Sequence, residues 1–124
     1  NIAIYVIKRR PVELLAVFNS HAGQMCISSI TMAELLHGVE KSSKPDHNLR
    51  QVEDFASRLE VLEYGSKAAA HYGEIRADLE RKGTVIGIND LHIAGHARSE
   101  GLTLVSNNLR EFERVDGLRL MNWA

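Results

Sequence analysis

Apolar positions along the chain follow two rhythms, short continuous runs and recurrences every three to four residues, and the two alternate. Pro11 opens an amphipathic segment carrying Val12, Leu15 and Phe18 and ending near Asn19. This predicts a helix with proline in its first turn, where no backbone N–H partner is needed. Gln24 to Ser28 reads as a short buried strand. After a turn at Thr31, the residues Met32, Leu35, Leu36 and Val39 return at helical spacing. The polar stretch Lys41-Ser42-Ser43-Lys44-Pro45-Asp46 separates that helix from one marked by Leu49, Val52, Phe55, Ala56 and Leu59. Val61 and Leu62 make a brief strand. Ala68, Tyr72, Ile75 and Leu79 then mark a long helix stopped by Gly83, with Arg81 and Lys82 suited to its negative end. Beyond a turn around Gly87, Asp90 heads a helix with Ile93, Ala94 and Ala97 on one face and Gly101 as its stop. Leu102-Thr103-Leu104-Val105 follows as a continuous apolar strand. Alternation of this kind calls for a mostly parallel sheet covered on both faces by helices, a three-layer α/β/α sandwich.

Composition narrows the possibilities. A chain of 124 residues, 44% hydrophobic and 25% charged, is one globular domain spanning positions 1–124, neither disordered nor fibrous. With 15 basic and 16 acidic residues the net charge is −1, so a polyanion would have to be met by a local patch. Lys8-Arg9-Arg10 with Lys41 and Lys44 is the best such patch, and a solvated helix end is the plainer reading of it. Cys26 is the sole cysteine, which excludes an internal disulfide and a cysteine-based zinc site and favours the cytoplasm. Its place in an apolar run makes it a core thiol rather than a nucleophile. No apolar run approaches the ~20 residues of a membrane span.

In open α/β sheets ligands bind beyond the carboxyl ends of the strands, so the polar residues that follow each apolar run carry the chemical information. Ser29 and Glu34 follow the strand at Met25 to Ser28. Asn89 and Asp90 precede the Ile93 helix, and Ser106, Asn107, Asn108 and Glu111 follow the last strand. Each has a plainer reading: Thr31-x-x-Glu34 fits a capping box, Asp90 an N-cap, and the asparagines turn formers. Convergence of oxygen donors at one sheet edge, without cysteine, suits a hard cation such as Mg²⁺ or, as the alternative, Mn²⁺. Such an ion can activate water and offset charge at a phosphodiester undergoing hydrolysis.

Other constellations fall short. His92 and His96 stand four apart on one helix but lack a zincin's intervening Glu and a third ligand, so they read as surface or interface histidines. Gly83-Thr84-Val85-Ile86-Gly87 is neither a P-loop nor a dinucleotide fingerprint, and the few aromatics form no base-stacking platform.

Three ordered segments carry a family likeness. Ile27-Ser28-Ser29-Ile30-Thr31-Met32-Ala33-Glu34-Leu35-Leu36-His37-Gly38, then Ile88-Asn89-Asp90-Leu91-His92-Ile93-Ala94-Gly95-His96-Ala97, then Leu104-Val105-Ser106-Asn107-Asn108-Leu109-Arg110-Glu111-Phe112-Glu113-Arg114-Val115, with Trp123 near the end, resemble PIN-domain ribonucleases of the VapC toxin type. The resemblance implies the PIN α/β/α sandwich and Mg²⁺-dependent cleavage of RNA, with a tRNA loop as the favoured substrate. It also implies a VapB-type antitoxin that holds the toxin inactive. It places the family's second and third acidic positions on Glu34 and Asp90, which would hold the metal. Its fourth region falls on Ser106-Asn107-Asn108, where an amide replaces the usual carboxylate and Glu111 compensates. In that reading Glu34, Asp90, Asn108 and Glu111 are the catalytic set, and Asn1, Ser29 and Ser106 support it.

The family's first motif is a strand ending in Asp-Thr-Asn, and this chain begins at what resembles that Asn. The expectation is therefore that the first strand, central in the sheet, and its aspartate are missing from the given chain, the natural protein carrying an apolar strand ending in Asp-Thr before Asn1. The wide apolar faces of the helices at Leu49 to Leu59 and Ala68 to Leu79 lead us to expect a homodimer together with an antitoxin segment. A catalytically silent binding subunit, in which the same acids are only caps, is the alternative.

Overall fold

The structure is a computed structural model and describes residues 3–6, 23–106 and 109–122. Among them, five parallel strands form one sheet: β1 (Ala3–Val6), β2 (Met25–Ser28), β3 (Glu60–Leu62), β4 (Thr103–Ser106) and β5 (Arg119–Met121), in the order β3-β2-β1-β4-β5. The helices are α1 (Ser29–Lys41), α2 (Pro45–Ala56), α3 (Ser66–Lys82), α4 (Ile88–Ser99) and the single turn α5 (Leu109–Phe112).

Strand side chains alternate between the two faces of the sheet, and both faces are buried. Ile4, Cys26 and Leu104 pack with Ile75 and Leu79 of α3 and with Leu91, Ala94 and Ala97 of α4. Met25, Ile27 and Val105 point the other way, onto Met32 and Leu35 of α1 and Phe55 of α2. The three-layer α/β/α sandwich follows from that double burial.

The expectation that the central strand is missing is corrected. Ala3–Val6 fills the central slot, in register with β2 (Ile4 beside Cys26) and along its whole length with β4 (Ala3 beside Thr103 through Val6 beside Ser106). A four-residue apolar segment suits a position flanked on both sides, and Ile4 is fully buried there. The loop read at positions 41–46 is also shorter than expected. Pro45 is the first residue of α2, since proline lacks only an N–H that the first turn leaves unused. β5 and α5 carried no signal in the pattern. The helix expected from Pro11 to Asn19, the basic run Lys8-Arg9-Arg10, and Asn1, Asn108 and Trp123 lie outside the described residues.

Both glycine stops stand. Gly83 has φ +69° and Gly101 has φ +66°, the left-handed conformation that closes a helix. Thr84 N–H donates to Leu79 C=O at 2.9 Å and Leu102 N–H to Ala97 C=O at 3.0 Å, so each helix end is sealed in the same way. α3 and α4 pack closely against each other at Gly95, where an added Cβ would lie 2.9 Å from the backbone N of Tyr72 and 3.2 Å from Ala68 O.

Candidate active site

From β1 the chain builds outward through β2 to β3, then crosses to β4 and β5 on the other side. The direction of winding therefore reverses between β1 and β4, and the crevice of such a sheet opens at the carboxyl ends of those two strands. There Val6 pairs with Ser106, which is fully buried. α1 leaves the carboxyl end of β2, and α4 runs back toward the start of β4, so both helices have their N-termini at that same edge. Glu34 stands on α1 and is exposed, while Asp90 stands in the first turn of α4 and is half-buried. α5, with half-buried Glu111, follows β4 at the same edge.

The capping readings do not survive. The N-cap of α1 is Ser28, whose Oγ accepts from Ile30 N–H at 3.1 Å. Thr31 lies inside the helix, 7% exposed, with no hydrogen-bond partner for its Oγ1, so Thr31 and Glu34 make no capping box. The N-cap of α4 is Gly87 and lacks a side-chain bond, so Asp90 is not the cap. Asp90 sits instead three residues on, its Oδ2 3.8 Å from the point a Gly87 Cβ would occupy. A carboxylate there is favoured by the positive end of the helix.

His96, read as a surface or interface residue, is corrected to a buried one, and His92 beside it is half-buried. His96 is 1% exposed, and its Nδ1 lies 2.8 Å from Ser28 Oγ. Burial holds its imidazole below the usual value, with Glu100 opposing that shift. His92 Nδ1 lies 2.8 Å from Tyr64 Oη, and its ring stacks on Tyr72 at 4.1 Å and 8°. Its imidazole is likewise lowered, by burial and then by Arg76, whose Nη1 donates to Tyr72 Oη at 2.7 Å. Ser29 Oγ accepts from Tyr64 N–H at 3.1 Å, which explains its place better than contact with a ligand. Tyr64 was not anticipated; a tyrosine just after a short strand carries no motif. Cys26 is buried as expected, its thiol pushed up to about 12 by burial and then by Glu60 and Glu100.

Among the described residues no three His, Cys, Asp or Glu side chains come together in a group able to hold a metal ion. Glu34 and Asp90 therefore do not form a closed ligand set with any third described side chain. A cavity of about 190 Å³ is lined by Glu74, Ile75, Asp78, Arg81, Arg98 and Asp116. It lies on the far side from this edge, at the C-terminal ends of α3 and α4, and its charges are largely paired: Arg98 bonds Glu74 at 2.7 Å, His71 at 2.9 Å and the Asp116 carbonyl at 3.0 Å.

Comparison with known proteins adds an independent line. The profile described as the PIN domain matches residues 1–118. Over its full length the chain is 63% identical to "Ribonuclease VapC2" of Haemophilus influenzae, covering 94% of that protein. It is 54% identical to "tRNA(fMet)-specific endonuclease VapC" of Salmonella typhimurium, again covering 94% of it. Among solved structures it is similar to the DNA-bound VapBC complex from Salmonella typhimurium, with TM-score 0.88 and 49% identity over 98% of this chain and 99% of that one.

Proposed function

Because the chain belongs to the PIN-domain family and is an endoribonuclease of the VapC type, we propose that it is a toxin that cuts phosphodiester bonds in structured RNA, a tRNA loop foremost, under the control of a VapB-type antitoxin. The observation that carries the site assignment is the position of Glu34 and Asp90. Both stand on helices whose N-termini meet the sheet edge where the winding reverses, and neither is the N-cap residue of its helix. In this proposal they are the central carboxylates, Glu111 and Asn108 support them, and Ser106, Ser29 and Asn1 orient the surroundings.

Two carboxylates repel an anionic phosphodiester unless a cation stands between them. We therefore keep Mg²⁺, with Mn²⁺ as the alternative, as the proposed cofactor, because every candidate donor is a hard oxygen. When bound, such an ion supplies water activation and charge neutralisation. The described side chains do not complete its ligand set, so no further step is built on it.

The preference for a tRNA loop is supported by the tRNA specificity in the name of the Salmonella relative and by the access that unstacked, single-stranded bases offer. The antitoxin is supported by the solved VapBC complexes, and exposed Leu36, Val85 and Ile88 supply apolar surface for a partner. A homodimer in the cytoplasm completes the proposal; no described helix is long and apolar enough to cross a membrane.

The test is cleavage of a tRNA pool by the purified protein in Mg²⁺ and in chelator, alongside Glu34→Gln and Asp90→Asn. Loss of charge stabilisation worth several kcal/mol lowers the rate by about 10²-fold or more in each variant. Cleavage at the wild-type rate in both variants sinks the site assignment.

A further inference from the structure

Glu34 and Asp90 stand on helices far apart in sequence, and the structure joins those helices by two adjacent polar bridges. In the first, Ser28 Oγ at the head of α1 meets His96 Nδ1 of α4 at 2.8 Å, both residues buried. In the second, Ser29 Oγ accepts from Tyr64 N–H, and Tyr64 Oη meets His92 Nδ1 at 2.8 Å. His92 and His96 lie one turn apart on α4. The Tyr64 ring touches both edge-on, with centroids 5.1 and 5.5 Å away, while Tyr72 closes the other side of His92.

The direction of the buried bond follows from satisfaction of the hydroxyl. Ser28 Oγ already accepts from Ile30 N–H, and in a site without solvent its own proton needs an acceptor, which His96 Nδ1 provides. The imidazole is then neutral, with its proton on Nε2. A bond of this kind adds little net stability, no more than an apolar side chain packed in the same place would contribute. What it adds beyond apolar contact is one defined geometry, because a buried donor or acceptor moved out of line loses its partner.

Resting on the endoribonuclease reading, we infer that Ser28 and His96 are positioning residues for the reaction: their bond, braced by Tyr64 and His92, sets where the Glu34-bearing helix stands relative to the Asp90-bearing one. Asp90 lies two residues before His92 on the same helix, so a shift at either bridge is carried to its carboxylate as a rigid displacement.

The experiment compares wild type with Ser28→Ala, His96→Leu, the double variant and Ser28→Thr in RNA cleavage. Paired spin labels at His37→Cys and Asn89→Cys report the spacing of α1 and α4, since the buried native thiol of Cys26 stays unlabelled. The expected result is a fall in kcat of about 10- to 10²-fold in each single variant, the scale of an ångström-level misplacement, with KM for RNA within about two-fold. The double variant falls no further than the worse single, Ser28→Thr recovers the rate, and the label distances broaden in Ser28→Ala and His96→Leu. Unchanged kcat with unchanged distances in the folded single variants overturns the inference, as do losses that multiply in the double. If wild type cleaves no RNA, the ribonuclease reading itself falls, and the label distances alone then decide whether the bridges set the helix spacing.

Discussion

Ser28 and His96, 68 positions apart in the chain, meet at 2.8 Å beneath the sheet edge and tie the head of α1 to the body of α4. Ser28 performs two tasks with one hydroxyl, capping its own helix and satisfying a buried imidazole.

Removing that hydroxyl should therefore cost more than an ordinary cap. Ser28→Ala loses about 1 kcal/mol of capping and leaves a buried ring nitrogen without a partner, worth a further ~1–3 kcal/mol. Urea unfolding should show a lower midpoint with an unchanged slope, and Ser28→Thr should keep most of the wild-type stability. A midpoint unmoved by alanine would show that the bond contributes nothing.

Stability should fall on acidification below the usual imidazole value of about 6.5. Burial holds His96 and His92 below that value in the folded chain, so between the two values the unfolded state binds more protons. The stabilisation is thus complete above about 6.5 and is lost as pH drops through the folded-state values. Glu100 beside His96 works against the effect, and Arg76 beside His92 works with it. Thermal unfolding from pH 7.5 to 5 checks this, and His96→Asn should flatten the slope.

Two glycines within helices should respond oppositely to alanine. Gly95→Ala drives a methyl into the backbone of Tyr72 and Ala68, where nothing flexible can yield, and should destabilise by about 1–3 kcal/mol. Gly73→Ala meets nothing within 4 Å on an exposed face of α3 and should stabilise by about 0.5–1 kcal/mol. Paired melting curves decide both signs.

Cys26 should be chemically silent in the folded protein. A thiol pushed up to about 12 and fully buried carries almost no thiolate at pH 8. Iodoacetamide should leave the native chain unmodified by mass and alkylate it once in guanidinium. Rapid labelling of the native state would show that β2 opens.

The alternation of apolar runs and helical spacings was enough to read the layered α/β fold. The helix stops at Gly83 and Gly101 were equally legible, because periodicity and the left-handed tolerance of glycine are properties of neighbouring residues. Glu34 and Asp90 could be singled out because a parallel sheet exposes its carboxyl edge wherever strands give way to helices. The remaining features depended on partners distant in the chain. Thr31 looked like a cap until Ser28 took the role, and β5 has only three residues, shaped by pairing with β4 rather than by any pattern of its own. His92 and His96 looked like surface or interface residues because nothing local shows that Tyr64 and Ser28 come to meet them. Helices and their ends follow from local sterics, whereas a buried polar bond exists only once packing has excluded water from both of its ends, and that is decided in three dimensions.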